Sequence, residues 1–222
     1  MSKTMRFREK LLLSGLFFLM FLFLIVLVRT VDVAAVGPVG TSIGLSGLNS
    51  AFHEWTGFQL FWYRLSKYLG LLAILTALLM AVFGAWQLVK RKSLRKVDGE
   101  IVALAGLYAL VVVLYVFFEF VVVNYRPVLM DGSTTPEPSF PSTHTMIAIV
   151  VLGSLMMLLP RYVQDLKIRR ILLIVCLCLL VLIVVGRLLS GVHWLTDILG
   201  GILISLALLS LFSAALDLVK RK

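Results

Sequence analysis

Acidic residues are scarce. The 222-residue chain has 11 Asp and Glu against 21 Lys and Arg, a formal net charge of +10. In a soluble protein that excess suggests a nucleic-acid partner. Here the basic residues form short clusters between long apolar runs. That pattern argues against nucleic acid and for orientation in a membrane. Cysteine is nearly missing: only Cys176 and Cys178 occur, both in one apolar run. Residues two apart on a helix point away from each other, which argues against a disulfide or a metal pair. Both read as small packing hydrophobes. No Asn-x-Ser/Thr sequon is present, and nothing marks a second domain, so residues 1–222 read as one unit.

Apolar residues are what the chain has most of. They make up 61% of it, against about 45–50% in a soluble domain. A core of this length cannot hide that much apolar surface, so lipid must cover the rest. A spanning helix needs about 20 mostly apolar residues. Six runs qualify, at 11–28, 68–89, 101–123, 145–159, 171–188 and 194–216. They predict an all-α bundle of six transmembrane helices. The first run follows Lys3, Arg6, Arg8 and Lys10, and Val33-Ala34-Ala35 would serve as a signal cleavage site. A signal core is usually about 7–15 residues, however, and the run is longer. It reads as a retained span.

Orientation follows from Lys and Arg. The N-terminus holds four, the loop 90–96 five, the loop 161–170 four and the tail 220–222 three, which is 16 of the 21. With six spans these segments share one side. The other side has Arg29, Arg64, Lys67, Arg126 and Arg187. The positive-inside rule therefore puts both termini in the cytoplasm. The outer segment 30–67 is turn-rich at Gly37-Pro38, Gly40, Gly44 and Gly47, then aromatic at Phe52, Trp55, Phe58, Phe61, Trp62 and Tyr63. Aromatics among polar neighbours suit the lipid–water interface. The segment is either a surface connector or a lid over a site. His53 and Glu54 within it receive no role.

Ionisable groups beside spanning segments are costly, and each is a functional hypothesis. Arg126, His144, Arg187, His193 and Asp197 all fall at the outer ends of predicted helices, which suggests one site. Glu119-x6-Arg126-Pro127 spans nearly two turns, so on a helix Glu119 and Arg126 would share a face. Arg126 offers a planar fork matched to phosphate oxygens. Pro141-Ser142-Thr143-His144 precedes the fourth run, where free N–H groups and the helix dipole favour an anion. His144 there can exchange a proton near neutral pH. In Gly186-Arg187-x5-His193-x3-Asp197, the last two are neighbours on one helical face. A carboxylate on one imidazole nitrogen fixes the tautomer and frees the other. Each cluster alone is equally compatible with a structural role.

Together, their order and spacing resemble the type-2 phosphatidic acid phosphatase family, within the acid phosphatase and vanadium haloperoxidase superfamily. The family pattern reads Lys-x6-Arg-Pro, Pro-Ser-Gly-His and Ser-Arg-x5-His-x3-Asp. The resemblance spans residues 119–197. It implies a helical bundle and hydrolysis of a phosphomonoester or pyrophosphate without a metal or organic cofactor. It implies His193 as nucleophile through a phosphohistidine, with Asp197 orienting it. His144 becomes the proton donor to the leaving oxygen and then the base for water. Arg126, Arg187, Ser142, Thr143 and the amides of 142–144 would hold the phosphate oxygens.

Three positions depart from the pattern. Thr143 replaces glycine, Gly186 replaces serine, and Glu119 replaces lysine. The last exchanges a cation for a carboxylate. The expectation is that Glu119 pairs with and positions Arg126, or faces a cation on the substrate. Expected partners are the bilayer and a membrane lipid phosphate, and no nucleic acid. In a bacterium the candidate lipids are undecaprenyl pyrophosphate, phosphatidylglycerophosphate and phosphatidic acid. A non-catalytic lipid-phosphate binder or transport component is the alternative, supported by Glu119. A small transporter is less favoured, because paired interrupted helices are not evident. Gly201-x3-Ser205 fits close packing, either inside the bundle or between copies.

Overall fold

The structure, a computed structural model, describes residues 7–130 and 132–219. Five residues counted for orientation, Lys3, Arg6, Lys220, Arg221 and Lys222, lie outside the described residues. The helices are α1 (Phe7–Thr30), α2 (Ser46–Thr56), α3 (Leu60–Arg91), α4 (Gly99–Phe120), α5 (Thr143–Tyr162), α6 (Leu166–Leu189) and α7 (Leu195–Val219). All but α2 are long and apolar enough to cross a membrane, giving the six expected spans. Among the described residues there is no strand, only isolated antiparallel bridges joining Ala34 to Ile43 and Tyr125 to Pro138.

Boundaries differ where tertiary contacts override the hydropathy pattern. The short fourth run becomes a 20-residue helix, because the polar Thr143 and His144 begin α5. The second run grows to 32 residues, starting at Leu60. At about 1.5 Å per residue α3 is roughly 48 Å long, against a hydrocarbon core of about 30 Å. Residues 60–67, read from sequence as the end of the outer segment, are thus the projecting first turns of α3. The third run ends early, at Phe120 rather than Val123.

Helix α5 is the centre of the bundle. About 61% of its apolar stretch is buried in protein, against 11% for α1 and α3. It packs on α6 and α7, α3 covers α5 and α6, and α1 lies along α7. Small residues permit the close contacts. A Cβ on Gly201 would stand 2.9 Å from the Ser142 carbonyl and 3.1 Å from the Thr145 Cβ. Gly201 therefore brings α7 against the start of α5, inside the bundle. Cys176 is buried and Cys178 exposed, both free.

Polar residues gather at the two ends. At one end Asp98, before α4, accepts from Gln87 (2.8 Å), Arg91 (2.6 Å) and Tyr162 (3.2 Å). Lys10 pairs with Asp217 at 2.7 Å, joining the start of α1 to the end of α7. Asp165 caps α6 by accepting from the Lys167 and Ile168 amides, satisfying first-turn donors. The other end carries α2 and the turns between α4 and α5 and between α6 and α7.

Candidate active site

The site is built on the turn that starts α7. Leu195 is the first helical residue, so Asp197 is the third and Trp194 precedes the helix. The Asp197 carboxylate reaches back to accept from the Trp194 amide at 2.9 Å, the reciprocal half of a capping box. A carboxylate there is also favoured by the helix dipole. Asp197 is fully buried, and its remaining lone pairs are filled from a distance. Asn124 Nδ2 donates to Oδ1 at 2.9 Å, and the Ser139 hydroxyl donates to Oδ2.

Neither Asn124 nor Ser139 was legible as a site residue. Both come from the segment between α4 and α5, where two extended stretches pair. The Arg126 amide donates to the Glu137 carbonyl (3.0 Å), and the Ser139 amide to the Asn124 carbonyl (3.1 Å). Alternate residues of an extended chain share a side, which sets Asn124 with Arg126 and Ser139 with Glu137. Prolines on both sides of Ser139 and Phe140 were the one available signal of a fixed loop.

The hydrogen bonds assign the tautomer of His193. Its Nδ1 lies 3.1 Å from Ser139 Oγ and 3.5 Å from Asp197 Oδ2. The Ser139 proton is committed to a carboxylate, which can only accept. Ser139 Oγ therefore accepts from His193 Nδ1–H. The proton sits on Nδ1, and Nε2 keeps a free lone pair. Nε2 is buried, with no hydrogen-bond partner among the described residues. Burial holds the His193 pKa well below its ordinary value, and the positive charges of Arg187 and Arg126 push the same way.

His144, in the first turn of α5, has the opposite tautomer. Arg187 donates from Nη2 to its Nδ1 at 2.9 Å, so its proton is on Nε2. Gly70 of α3 makes room for the ring: a Cβ there would lie 3.1 Å from His144 Cδ2. Arg187 itself is only 1% exposed. Its Nε and Nη1 have no hydrogen-bond partner among the described residues, and its guanidinium lies 5.6 Å from the Tyr63 ring centroid. A buried guanidinium with unused donors calls for an anion. Arg187, His144 and Arg126 line one cavity of about 430 Å³, together with Tyr63 and Lys67 of α3 and with Met130, Gly132, Ser133 and Glu137.

Several expectations are corrected. Arg126 pairs with Glu137, not Glu119, at 3.2 Å, and that contact is too bent to be a hydrogen bond, since Nε stays unpartnered. Because α4 ends at Phe120, residues 119 and 126 share no helical face. Glu119 lies exposed at the end of α4. The Ser142 amide is not free for a ligand, because it donates to the Asp197 carbonyl at 3.0 Å. The Ser142 hydroxyl accepts from Thr145 at 3.0 Å, which leaves its own proton to give. The amides of Thr143 and His144 open α5, where no intrahelical acceptor exists. Gly186 has a packing reason: a Cβ there would be 3.0 Å from the Ser66 Cβ, where α3 crosses α6.

The outer segment is pinned to this turn. Asn49 of α2 is buried and accepts from the Thr196 amide (3.2 Å) and hydroxyl (3.3 Å). His53 packs on Trp194 with ring centroids 5.5 Å apart. Gly191 has φ +67, and a Cβ there would strike the Gly57 carbonyl. Only glycine serves both the backbone and the close approach.

Comparison with known proteins identifies the family and the fold. The PAP2 superfamily model matches residues 100–220. The fold is similar to the crystal structure of the first transmembrane PAP2 type phosphatidylglycerolphosphate phosphatase from Bacillus subtilis. The TM-score is 0.67 at 22% identity, over 95% of this chain and 98% of that one. Compared by sequence with individually characterised proteins, the chain finds no match.

Proposed function

Since the chain belongs to the PAP2 superfamily and is a multi-pass membrane protein, we propose that it is a lipid phosphatase acting through a phosphohistidine. One observation supports this most: a buried Arg187 with two unused donors, bonded to a histidine on the wall of a cationic cavity. The substrate class is a phosphomonoester or pyrophosphate of a membrane lipid, as in phosphatidylglycerophosphate, phosphatidic acid or undecaprenyl pyrophosphate.

In the first step His193 Nε2 attacks phosphorus. The P–N bond forms, the P–O bond to the lipid breaks, and His144, protonated on both nitrogens once Arg187 turns from its Nδ1 to the phosphate, gives its Nε2 proton to the leaving oxygen. The imidazole becomes cationic, and Asp197 and Ser139 stabilise it through Nδ1. In the second step His144 takes a proton from water, the water oxygen bonds to phosphorus, and the P–N bond breaks to release inorganic phosphate. Arg187, Arg126, the Ser142 hydroxyl and the first amides of α5 hold the phosphoryl oxygens, and such positioning is much of what phosphoryl transfer requires. No metal has a part in this scheme.

Phosphate release by detergent-purified protein, with His193→Ala as control, tests the reading. The panel is the three lipids and a soluble aryl phosphate. Release that the mutation abolishes, that a strong chelator leaves intact and that vanadate blocks is the expected result. Chelator inactivation reversed by magnesium would sink the metal-free scheme. Retained vanadate binding without turnover on any substrate would favour the non-catalytic binder, the reading that Glu119 supports.

A further inference from the structure

A phosphomonoester brings about two negative charges to the cavity. The arginines alone do not match them. Arg126 faces the Glu137 carboxylate at 3.2 Å, so that pair is close to neutral. Glu119 is exposed at the end of α4 and adds no cation. Among the described residues Arg187 is left as one uncompensated charge, and the only other cation on the cavity wall is Lys67.

Lys67 is held there by its helix. Tyr63, Lys67 and Gly70 of α3 follow i, i+4, i+7 spacing and form one face. Gly70 lies against His144, and Tyr63 and Lys67 line the cavity. One ring serves two cations: the Lys67 ammonium is 5.7 Å from the Tyr63 centroid on which Arg187 also rests, at 5.6 Å. Among the described residues Lys67 has no carboxylate partner, and its ammonium lies over the Tyr63 ring.

We propose that Lys67 is a phosphate-contacting residue, supplying from α3 the second uncompensated cation of the site. An exposed lysine near a membrane interface ordinarily snorkels to headgroups. Arg64, one turn away on the same helix and also exposed, lies off the cavity and fits that ordinary role. The two residues therefore form an internal control.

The proposal rests on the phosphatase reading for its substrate, so its test uses binding as well as turnover. Inorganic phosphate is titrated against detergent-purified protein by calorimetry, for wild type, Lys67→Gln, Lys67→Arg and Arg64→Gln. Loss of a hydrogen-bonded charge is expected to weaken phosphate by about tenfold or more in Lys67→Gln. Lys67→Arg should recover most of the affinity, and Arg64→Gln should match wild type. Equal affinity in Lys67→Gln and wild type would overturn the proposal, as would wild type that binds no phosphate. A parallel loss in Arg64→Gln would also overturn it, by showing a general surface-charge effect. Lipid turnover with His193→Ala separates the two claims. His193-dependent turnover that Lys67→Gln leaves intact refutes Lys67 alone. Lys67-dependent phosphate binding without turnover refutes the enzyme alone.

Discussion

Asp197 has four partners around one carboxylate, and only one of them, His193, belongs to a recognisable motif. The others fix its direction: Asn124 on Oδ1, and Ser139 and the Trp194 amide on Oδ2. A hydrogen bond to a charged group contributes about 1.5–3 kcal/mol. Asn124→Ala should therefore lower kcat by about ten- to a hundredfold, with KM nearly unchanged, because Asn124 touches the orienting carboxylate and not the substrate. Steady-state kinetics on the preferred lipid would show this. A raised KM at constant kcat would instead place Asn124 in substrate binding. His193 gives a second prediction, in pH. Its folded pKa is depressed by burial, with Arg187 and Arg126 adding to the effect, while an unfolded histidine titrates near about 6.5. Below about 6.5 the unfolded chain binds a proton that folded His193 refuses, so stability falls as the medium is acidified. Above that value His193 contributes no slope. Melting temperatures between about pH 7 and 5.5 should fall more steeply for wild type than for His193→Gln.

At the scale of elements, the site depends on where helices stop and how closely they cross. The hydropathy of 101–123 is continuous, and nothing in it marks an end at Phe120. What ends α4 is the pairing of 124–126 with 137–139, a contact between stretches more than ten residues apart. Periodicity reads only neighbours along the chain. Glu119 and Arg126 were therefore joined by a spacing rule for a helix that is not there, and Asn124 and Ser139 were passed over. The two clusters with His144, Arg187, His193 and Asp197 were legible because their spacing is local and their residue types are expensive in a membrane. The part played by α3 was not legible, since Tyr63, Lys67 and Gly70 look like an interfacial stretch until the bundle places them beside His144. Gly70 tests that contact. Alanine in a helix is favoured over glycine by about 1 kcal/mol, yet its Cβ would press on His144 at 3.1 Å. Gly70→Ala should hold or raise the melting temperature while lowering kcat. Falling stability together with intact kcat would mean that α3 yields and His144 does not feel it.

At the scale of the whole molecule, the two ends of the bundle differ in chemistry. One end joins Asp98 to Arg91 and Tyr162, Glu100 to Arg161 and Lys10 to Asp217. The other carries His144, Arg187, His193, Asp197 and α2, with exposed Trp55 and Phe61. Aromatic side chains of that kind favour the lipid–water interface, where lipid phosphates lie. Most of the basic residues flank the first end, as the loops 90–96 and 161–170 show. The positive-inside rule then predicts that the first end lies in the cytoplasm and the end carrying His193 outside. This orientation can be read directly. After Cys176→Ala and Cys178→Ala, a single cysteine is placed at Leu48, exposed on α2, or at Arg95, exposed between α3 and α4. A membrane-impermeant maleimide applied to intact cells should label Leu48→Cys and leave Arg95→Cys unlabelled until the membrane is permeabilised. The reverse pattern would turn the bundle over. The substrate phosphate would then have to be presented from the cytoplasmic leaflet, and the chain would violate the charge rule with nearly all of its basic loops.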